Sequence, residues 1–560
     1  MAHVSPLLAW LDEPAPDRGI RFARTGDGWE LWSYEQLATL VGRIAGRLID
    51  ARVRRGEVVA IIERSSPRFV ASLFGAMLAG ATPSPIAPPI PFQSGDQYAD
   101  YFGGLLATAQ PSVLLTDTAL LGTVAPLLAE QARMPTLLEV EDLIAEPADA
   151  GARGAPAELA LLQFTSGTSG CARGVRVPFH SLDANIRAIC QWLGMTHADA
   201  SASWLPMNHD MGLVGCLLTP VVNQSDLWLM SPEEFIRSPV RYLRCFDGDG
   251  ARMTAMPCFG LGYIARRVTP EALHALDFGE WRAIIVGAER LDPRAFEQFY
   301  ALLATAGLRR SALLPAYGLA EATLAVTGLS LGDTWRSVEI DPARLSLGKE
   351  VELKSGGDSQ LLVGCGHALT GVEVTVRDAC GTPLRDGVIG EICVAGDSVT
   401  AGYATPDDGS FLPRVADGVV RTGDIGFQMD GELFVLGRLG DALKIRGRAV
   451  FAEELEAVVA SVGIPGHRVA AVLGEHRGMP TLVLVLEDAA KTWRPLYTPP
   501  LRRLIDGANM IIVDAPRGTI QRTSSGKPRR RDLWNAFLDG RLVGPAIRGQ
   551  QTDRSRGGHA

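Results

Sequence analysis

Between residues 161 and 175 the chain reads LLQFTSGTSGCARGV, an apolar run that breaks into a turn of glycines and hydroxyls and ends on a cation. Gly167 and Gly170 let backbone N–H groups converge on an anion, and Thr165, Ser166, Thr168 and Ser169 add hydroxyl donors. That chemistry suits nucleotide phosphates. It is not a Walker A loop, because Gly170 is followed by Cys171, Ala172, Arg173 and Gly174 rather than by Lys and Ser or Thr. A Ser/Thr/Gly turn is also an ordinary loop, so its meaning depends on its company. The company is SWLPMNHDMGLVG (203–215), IIVGAER (284–290), LPAYGLAEATLAVTG (314–328), RTGDIG (421–426), GRLGDALKIRGR (437–448) and RTSSGKPRR (522–530). Carboxylates, a histidine, a tyrosine and a lysine thus recur beside tight glycine turns along the chain.

The elements that must position these groups follow from composition and patterning. A chain of 560 residues, 47% hydrophobic and 21% charged, has the apolar surface for more than one folded unit. Its net charge of −9 argues against a nucleic-acid partner held by the overall field. No apolar run reaches the length of a membrane span, and MAHVSPLLAWLDEPAPD lacks the basic start of a signal peptide. A cytoplasmic protein is therefore expected. The eight cysteines form no CxxC pair, which favours reduced, buried thiols over a zinc site. Strand-like runs (VVAII, AIIVGA) alternate with helical patterns such as SYEQLATLVGRIAGRLID, which predicts an α/β protein.

From 372 to 436 the strands crowd together around glycine turns, as expected of a small barrel-like antiparallel subdomain closing a body of residues 1–436. A hinge is expected at 437–441, a small α+β C-terminal domain at 442–540 and a disordered tail at 541–560. Charge changes sign at the same place: from 437 to 540, 16 Lys and Arg stand against 11 Asp and Glu. Weakly ordered insertions are expected near 91–104 and at 334–360.

Taken in order, the motifs resemble the adenylate-forming superfamily of acyl-CoA synthetases, adenylation domains and luciferases over roughly residues 30–535. WLPMNHDMGL paired with YGLAEATL, and the polar insertion at 334–360 ahead of CGHALTGVEV, are similar to the fatty acyl-AMP ligase subgroup. The resemblance implies ATP (or a bound acyl-AMP) and Mg²⁺ as cofactors. It implies a hydrophobic carboxylic acid as substrate and a phosphopantetheine thiol of CoA or an acyl carrier protein as acceptor, in lipid or natural-product biosynthesis.

It also implies roles. Thr165, Ser166, Gly167, Thr168, Ser169, Gly170 and Arg173 would hold the β and γ phosphates. Tyr317, with Gly318, would stack on adenine, which Gly287, Ala288 and Glu289 would line. Glu321 would ligate Mg²⁺ and Thr323 would touch the α-phosphate. Asp424 would take the ribose hydroxyls, Arg438 the ribose or a phosphate. Lys527 would enter the site during adenylation, with His209 beside the acyl carboxylate. Gly440 would be the swivel, and Lys444 would border the pantetheine tunnel after rotation. The acyl pocket would be formed by Met207, Asn208, Cys258, Phe259, Gly260, Leu261 and Gly262.

The chain departs from the pattern in places. Ser169, Ala172 and Arg173 replace Thr, Pro and Lys in the phosphate turn, and Asn208 replaces a Tyr. The small residues of PCFGLGY (257–263) suggest a wide pocket for a bulky or long apolar acid. Two other readings stay open: an enzyme that carries only a preformed adenylate to the thioester, and a non-catalytic nucleotide-binding relative.

Overall fold

The computed structural model describes residues 5–89, 95–131, 133–145, 151–165, 173–356, 359–404, 414–445, 448–488, 493–522, 526–542 and 547–548. Near the N-terminus a short hairpin, β1 (Gly19–Ala23) and β2 (Trp29–Ser33), leads into a helix at Tyr34–Asp50. Ser33 and Gln36 close that helix's first turn by reciprocal side-chain and backbone bonds, satisfying two of its orphan N–H groups. Leu37, Val41, Ile44 and Leu48 share one face of it and are fully buried. Against this face lies the helix Pro67–Leu78, whose Gly75 comes so close that a Cβ there would sit 2.9 Å from Ile44.

Four parallel strands follow, β3 (Val58–Ile62), β4 (Thr82–Pro85), β5 (Val113–Thr116) and β6 (Thr136–Glu139), in the order β4-β3-β5-β6. The strands β7 (Leu159–Thr165) and β8 (Arg173–Pro178), which flank the glycine and hydroxyl segment in sequence, pair antiparallel. The central sheet is built from β9 (Ser201–Ser203), β10 (Leu227–Leu229), β11 (Met253–Met256), β12 (Ala283–Val286), β13 (Leu313–Gly318) and β14 (Ala325–Gly328). Together with β1, β2 and the pair His367–Ala368 it has nine strands, parallel from β1 through β13. Its strands are mostly buried, as a parallel sheet covered on both faces requires. In such sheets ligands gather beyond the C-terminal ends of the strands, and there the motif residues converge.

Residues 372–438 form a five-stranded antiparallel sheet. The C-terminal unit packs helices Ala452–Ser461, Arg494–Leu504 and Arg530–Leu538 on a four-stranded sheet. Arg530 anchors it, its guanidinium lying 2.8 Å from Asp441, 2.9 Å from Glu453 and 2.9 Å from Glu456.

Three expectations of weak order need correction. Residues Gly95–Ala109 form a helix, because Tyr98, Phe102, Leu105 and Leu106 give it a buried apolar face. Within 334–360, Ser337–Ile340 pairs antiparallel with Gln360–Val363. Ile340, Leu345 and Val351 enter an apolar cluster with Phe427, Phe434 and Phe451, the residue that precedes the first C-terminal helix. In the tail, Ile547–Arg548 pairs with Ile511 and Ile512 as an edge strand. The rest of that tail beyond Leu542 lies outside the described residues. Among the described residues no helix is long and apolar enough to cross a membrane.

Candidate active site

A cavity of about 210 Å³ opens at the C-terminal ends of the central strands. At its mouth the Tyr317 hydroxyl donates to Asp424 Oδ2 (2.7 Å) and Arg438 Nε donates to Asp424 Oδ1 (2.8 Å). Asp424, the carboxylate beside it, pushes the Arg438 guanidinium further up. Lys527 reaches the same wall from the C-terminal unit. Burial lowers its pKa and the Arg438 charge adds to the shift, while Asp424, Asp210 and Glu289 oppose it.

His209 also lines the cavity, its Nδ1 2.7 Å from Asp210. Burial works against the ionised Asp210, yet the His209 contact keeps it below the usual carboxylate range. Asp210 in turn accepts the backbone N–H of Met211, starting a π-helical stretch, Met211–Leu218, of the kind that recurs at functional sites. Glu321, 4% exposed, stands on the opposite side and takes the Tyr403 hydroxyl at 2.6 Å. Burial raises its pKa, and the Tyr403 bond pulls the other way. A lone buried carboxylate at a cavity wall fits Mg²⁺, which takes one or two carboxylates together with substrate phosphate oxygens. Among the described residues no cluster of three or more His, Cys, Asp or Glu side chains could hold a metal unaided.

The loop ends are strained where they meet the cavity. Ala288 and Thr323 both have positive φ, +67° and +68°. Such conformations persist only where the surroundings over-determine them and cluster at functional sites. A Cβ on Gly318 would lie 2.1 Å from the Leu324 carbonyl, so only glycine fits that turn.

Of the residues expected at the site, the structure brings Thr165, Arg173, His209, Gly287, Ala288, Tyr317, Gly318, Glu321, Arg438 and Lys527 to one cavity, with Asp424 bonded into its wall. Others fall elsewhere. Thr323 is turned away, its hydroxyl given to the Ser398 carbonyl at 2.7 Å. Glu289 accepts the Phe259 N–H at 2.6 Å and so caps the helix Cys258–Arg267 instead of lining the cavity. Gly440 occupies a single 3₁₀ turn, Leu439–Asp441, with no atom within 4 Å of where its Cβ would be. The backbone of Lys444 pairs with Ala449. Ser166, Gly167, Thr168, Ser169 and Gly170 lie outside the described residues.

None of the residues expected to form the acyl pocket lines this cavity. Met207 is core, and the Asn208 carbonyl is bonded by Gln163. Cys258 accepts from the Asp292 N–H, and burial pushes its thiol well up. Phe259 is 39% exposed and Leu261 is fully buried in the core. Gly260 and Gly262 leave no room, because Met256, Trp204 and Arg266 already fill the space beside them.

The apolar extension of the cavity runs down the other side of the sheet. Met253 and Ala255 of β11, Ala202 and Ile285 form one side, and Ile189, Trp192, Gly215 and Cys216 the other. Gly287 follows Val286, which is in register with Met256, so the extension spans about four strand residues from Gly287 down to Met253, or about 13 Å. Two of its hydroxyls are internally satisfied: Thr254 bonds the Ala202 carbonyl and Thr219 the Val214 carbonyl. Sequence reasoning missed these residues and missed Tyr403. Nothing in their spacing marks them: the channel residues sit in runs that read as ordinary core, and Tyr403 in AGYATPDDG, which reads as an ordinary turn.

The family of AMP-binding enzymes matches residues 11–404. The medium-chain-fatty-acid–[acyl-carrier-protein] ligase JamA of Moorena producens (strain JHB) is 29% identical over 540 residues, 91% of this chain and 90% of its own. A chain solved in structural and functional studies of fatty acyl-adenylate ligases from E. coli and L. pneumophila superimposes with a TM-score of 0.87 at 28% identity, over 96% of this chain and 99% of that one. A fatty acyl-adenylate ligase from L. pneumophila in complex with acyl adenylate and pyrophosphate gives 0.72 at 25% identity, over 97% of each. With the family matched across most of its length and the fold shared from end to end, this chain belongs to the AMP-binding enzyme family.

Proposed function

We propose that the chain activates a carboxylic acid with an unbranched apolar tail to its acyl-AMP, using ATP, and passes the acyl group to a phosphopantetheine thiol. The observation that carries this reading is a single cavity joining a lysine, a carboxylate-bound arginine and tyrosine, and a 13 Å apolar channel. In the first step an oxygen of the acid forms a bond to the α-phosphorus, the bond from that phosphorus to the bridging oxygen breaks, and pyrophosphate leaves. Lys527 offsets the negative charge that grows on the α-phosphate oxygens, a contribution made chiefly in the transition state. His209, held by Asp210, orients the carboxylate. Asp424, fixed between Tyr317 and Arg438, accepts from the ribose hydroxyls with its remaining lone pairs. Glu321 would hold Mg²⁺, which would supply charge neutralisation for the phosphates. In the second step the thiol sulfur bonds the acyl carbon, the mixed anhydride breaks and AMP departs.

The carrier-protein ligase activity of the Moorena relative supports a protein-bound acceptor, and the channel supports an acid of about ten carbons. The test is a panel of acids from acetate to palmitate and ring-bearing acids, with pyrophosphate release followed and the adenylate and thioester identified by mass spectrometry. Pyrophosphate release only with medium-length apolar acids is expected. Thioester formed from supplied acyl-AMP without pyrophosphate release from ATP would replace this reading with the transfer-only enzyme.

A further inference from the structure

The Glu321 carboxylate is not placed by its own short 3₁₀ turn alone. The segment Thr400–Ala404 pairs along β8: Ala401 N–H bonds the Arg176 carbonyl, Arg176 N–H the Gly402 carbonyl and Ala404 N–H the Gly174 carbonyl. The same segment reaches the other way, Thr400 N–H bonding the Glu321 carbonyl at 3.0 Å. It is therefore a strap between the phosphate hairpin and the turn that bears Glu321. Tyr403 is the side chain that uses both ends. Its hydroxyl donates to Glu321 Oε1 at 2.6 Å, and the Arg173 guanidinium lies 3.4 Å over its ring. Only a planar cation makes that stack well, which gives the arginine at this position a job that a lysine does less well.

We propose that Tyr403 is a positioning residue that aims Glu321 at a phosphate-bound divalent cation, with Arg173 coupling that aim to the phosphate hairpin. Resting on the ATP-dependent reading above, it adds a residue that touches neither nucleotide nor acid. The hydroxyl occupies Oε1 and restricts the rotation of the carboxylate, whose residue lines the cavity. Outer partners of this kind change metal affinity about 10–100-fold when removed.

The test uses the full chain and Tyr403→Phe. Mn²⁺ is titrated in the presence of an ATP analogue with a methylene between the α and β phosphorus atoms, and free Mn²⁺ is read by electron paramagnetic resonance. Weakening of Mn²⁺ binding by about tenfold is expected. The Mg²⁺ concentration for half-maximal pyrophosphate release should rise by the same factor, with the KM of the acid and the rate of transfer from supplied acyl-AMP unchanged. Arg173→Lys, which keeps the charge and loses the stack, should give a smaller rise of about threefold. An unchanged Mn²⁺ titration overturns the proposal, as does an equal loss in the metal-free transfer step or a wild-type chain that takes up no Mn²⁺ with the analogue. If the wild type binds Mn²⁺ but releases no pyrophosphate with any acid, the proposed function fails while the Mn²⁺ comparison still decides the role of Tyr403.

Discussion

If the apolar extension holds the acyl chain as proposed, Ala255→Phe should shift the preferred acid toward shorter chains. Ala255 and Met253 lie on the same face of β11 and line the channel, Ala255 two strand steps from the level of Gly287 and Met253 four. A phenyl group at 255 closes the channel about 7 Å below the carboxylate instead of about 13 Å, leaving room for about five carbons rather than ten. Five methylenes denied burial at about 0.8 kcal/mol each remove about 4 kcal/mol from binding in the transition state, or about a thousandfold in kcat/KM for decanoate. Pentanoate, which never reaches the obstruction, should lose less than about threefold. The assay is continuous pyrophosphate release over straight acids from four to fourteen carbons, with the chain length of the maximum as the readout. Met253→Ala is the opposite perturbation and should move the maximum outward by two or three carbons. Equal losses for pentanoate and decanoate, or an unmoved maximum in both variants, would refute the channel's path.

Lys527→Ala should lower acyl-AMP formation by about 10²–10³, equivalent to about 3–4 kcal/mol, while transfer from supplied acyl-AMP stays near wild type. Because burial lowers the pKa of Lys527, the adenylation rate should fall on the alkaline side at a lower pH than a solvent-exposed lysine would give, and that limb should vanish in the variant. Deleting 334–360, or the milder Phe451→Ala, breaks the apolar cluster that ties the insertion to the C-terminal unit. Thioester formation with free CoA should then rise about tenfold, the effect of about 1.4 kcal/mol on the population of the rotated arrangement, and an unchanged CoA rate counts against the restraint. Glu63, buried at the end of β3, has its pKa pushed up to about 8 by burial. Since the folded state then binds a proton the unfolded chain has released, stability falls as pH rises from about 4.5 to about 8 and levels off above that. Thermal melts of Glu63→Gln between pH 5 and 9 should be flatter than wild type.

The α/β class and the convergence of Tyr317, Glu321, Arg438 and Lys527 were legible because each sits at a glycine turn that ends a strand or opens a hinge, where local chemistry restricts the chain. The acyl channel was not. Gly260 and Gly262 read as empty space, but a small residue is equally what a close neighbour demands, and Met256, Trp204 and Arg266 are those neighbours. Thr323 carries a phosphate-seeking hydroxyl by type, yet its positive φ turns it to the Ser398 carbonyl. The order in 334–360 was hidden because its few apolar residues, Ile340, Leu345 and Val351, are scattered without a period and find their partners in Phe427 and Phe434, about a hundred residues away. Tyr403 is meaningful only through Arg173 and Glu321, two residues that lie far earlier in the sequence and that only the fold brings to it.

Two arginine clusters flank Leu439 and Gly440, and if the expected swivel lies there they define a mechanical linkage. Arg438 is bolted to Asp424 in the body, while Asp441 is bolted to Arg530, and through it to Glu453 and Glu456, in the C-terminal unit. Any turning of one unit on the other that keeps both sets of bonds must be carried by the backbone torsions of Leu439 and Gly440 alone. The axle is thus two residues long, with open space where a Cβ on its glycine would sit. Its stiffness can be changed by a single methyl group without touching either bearing.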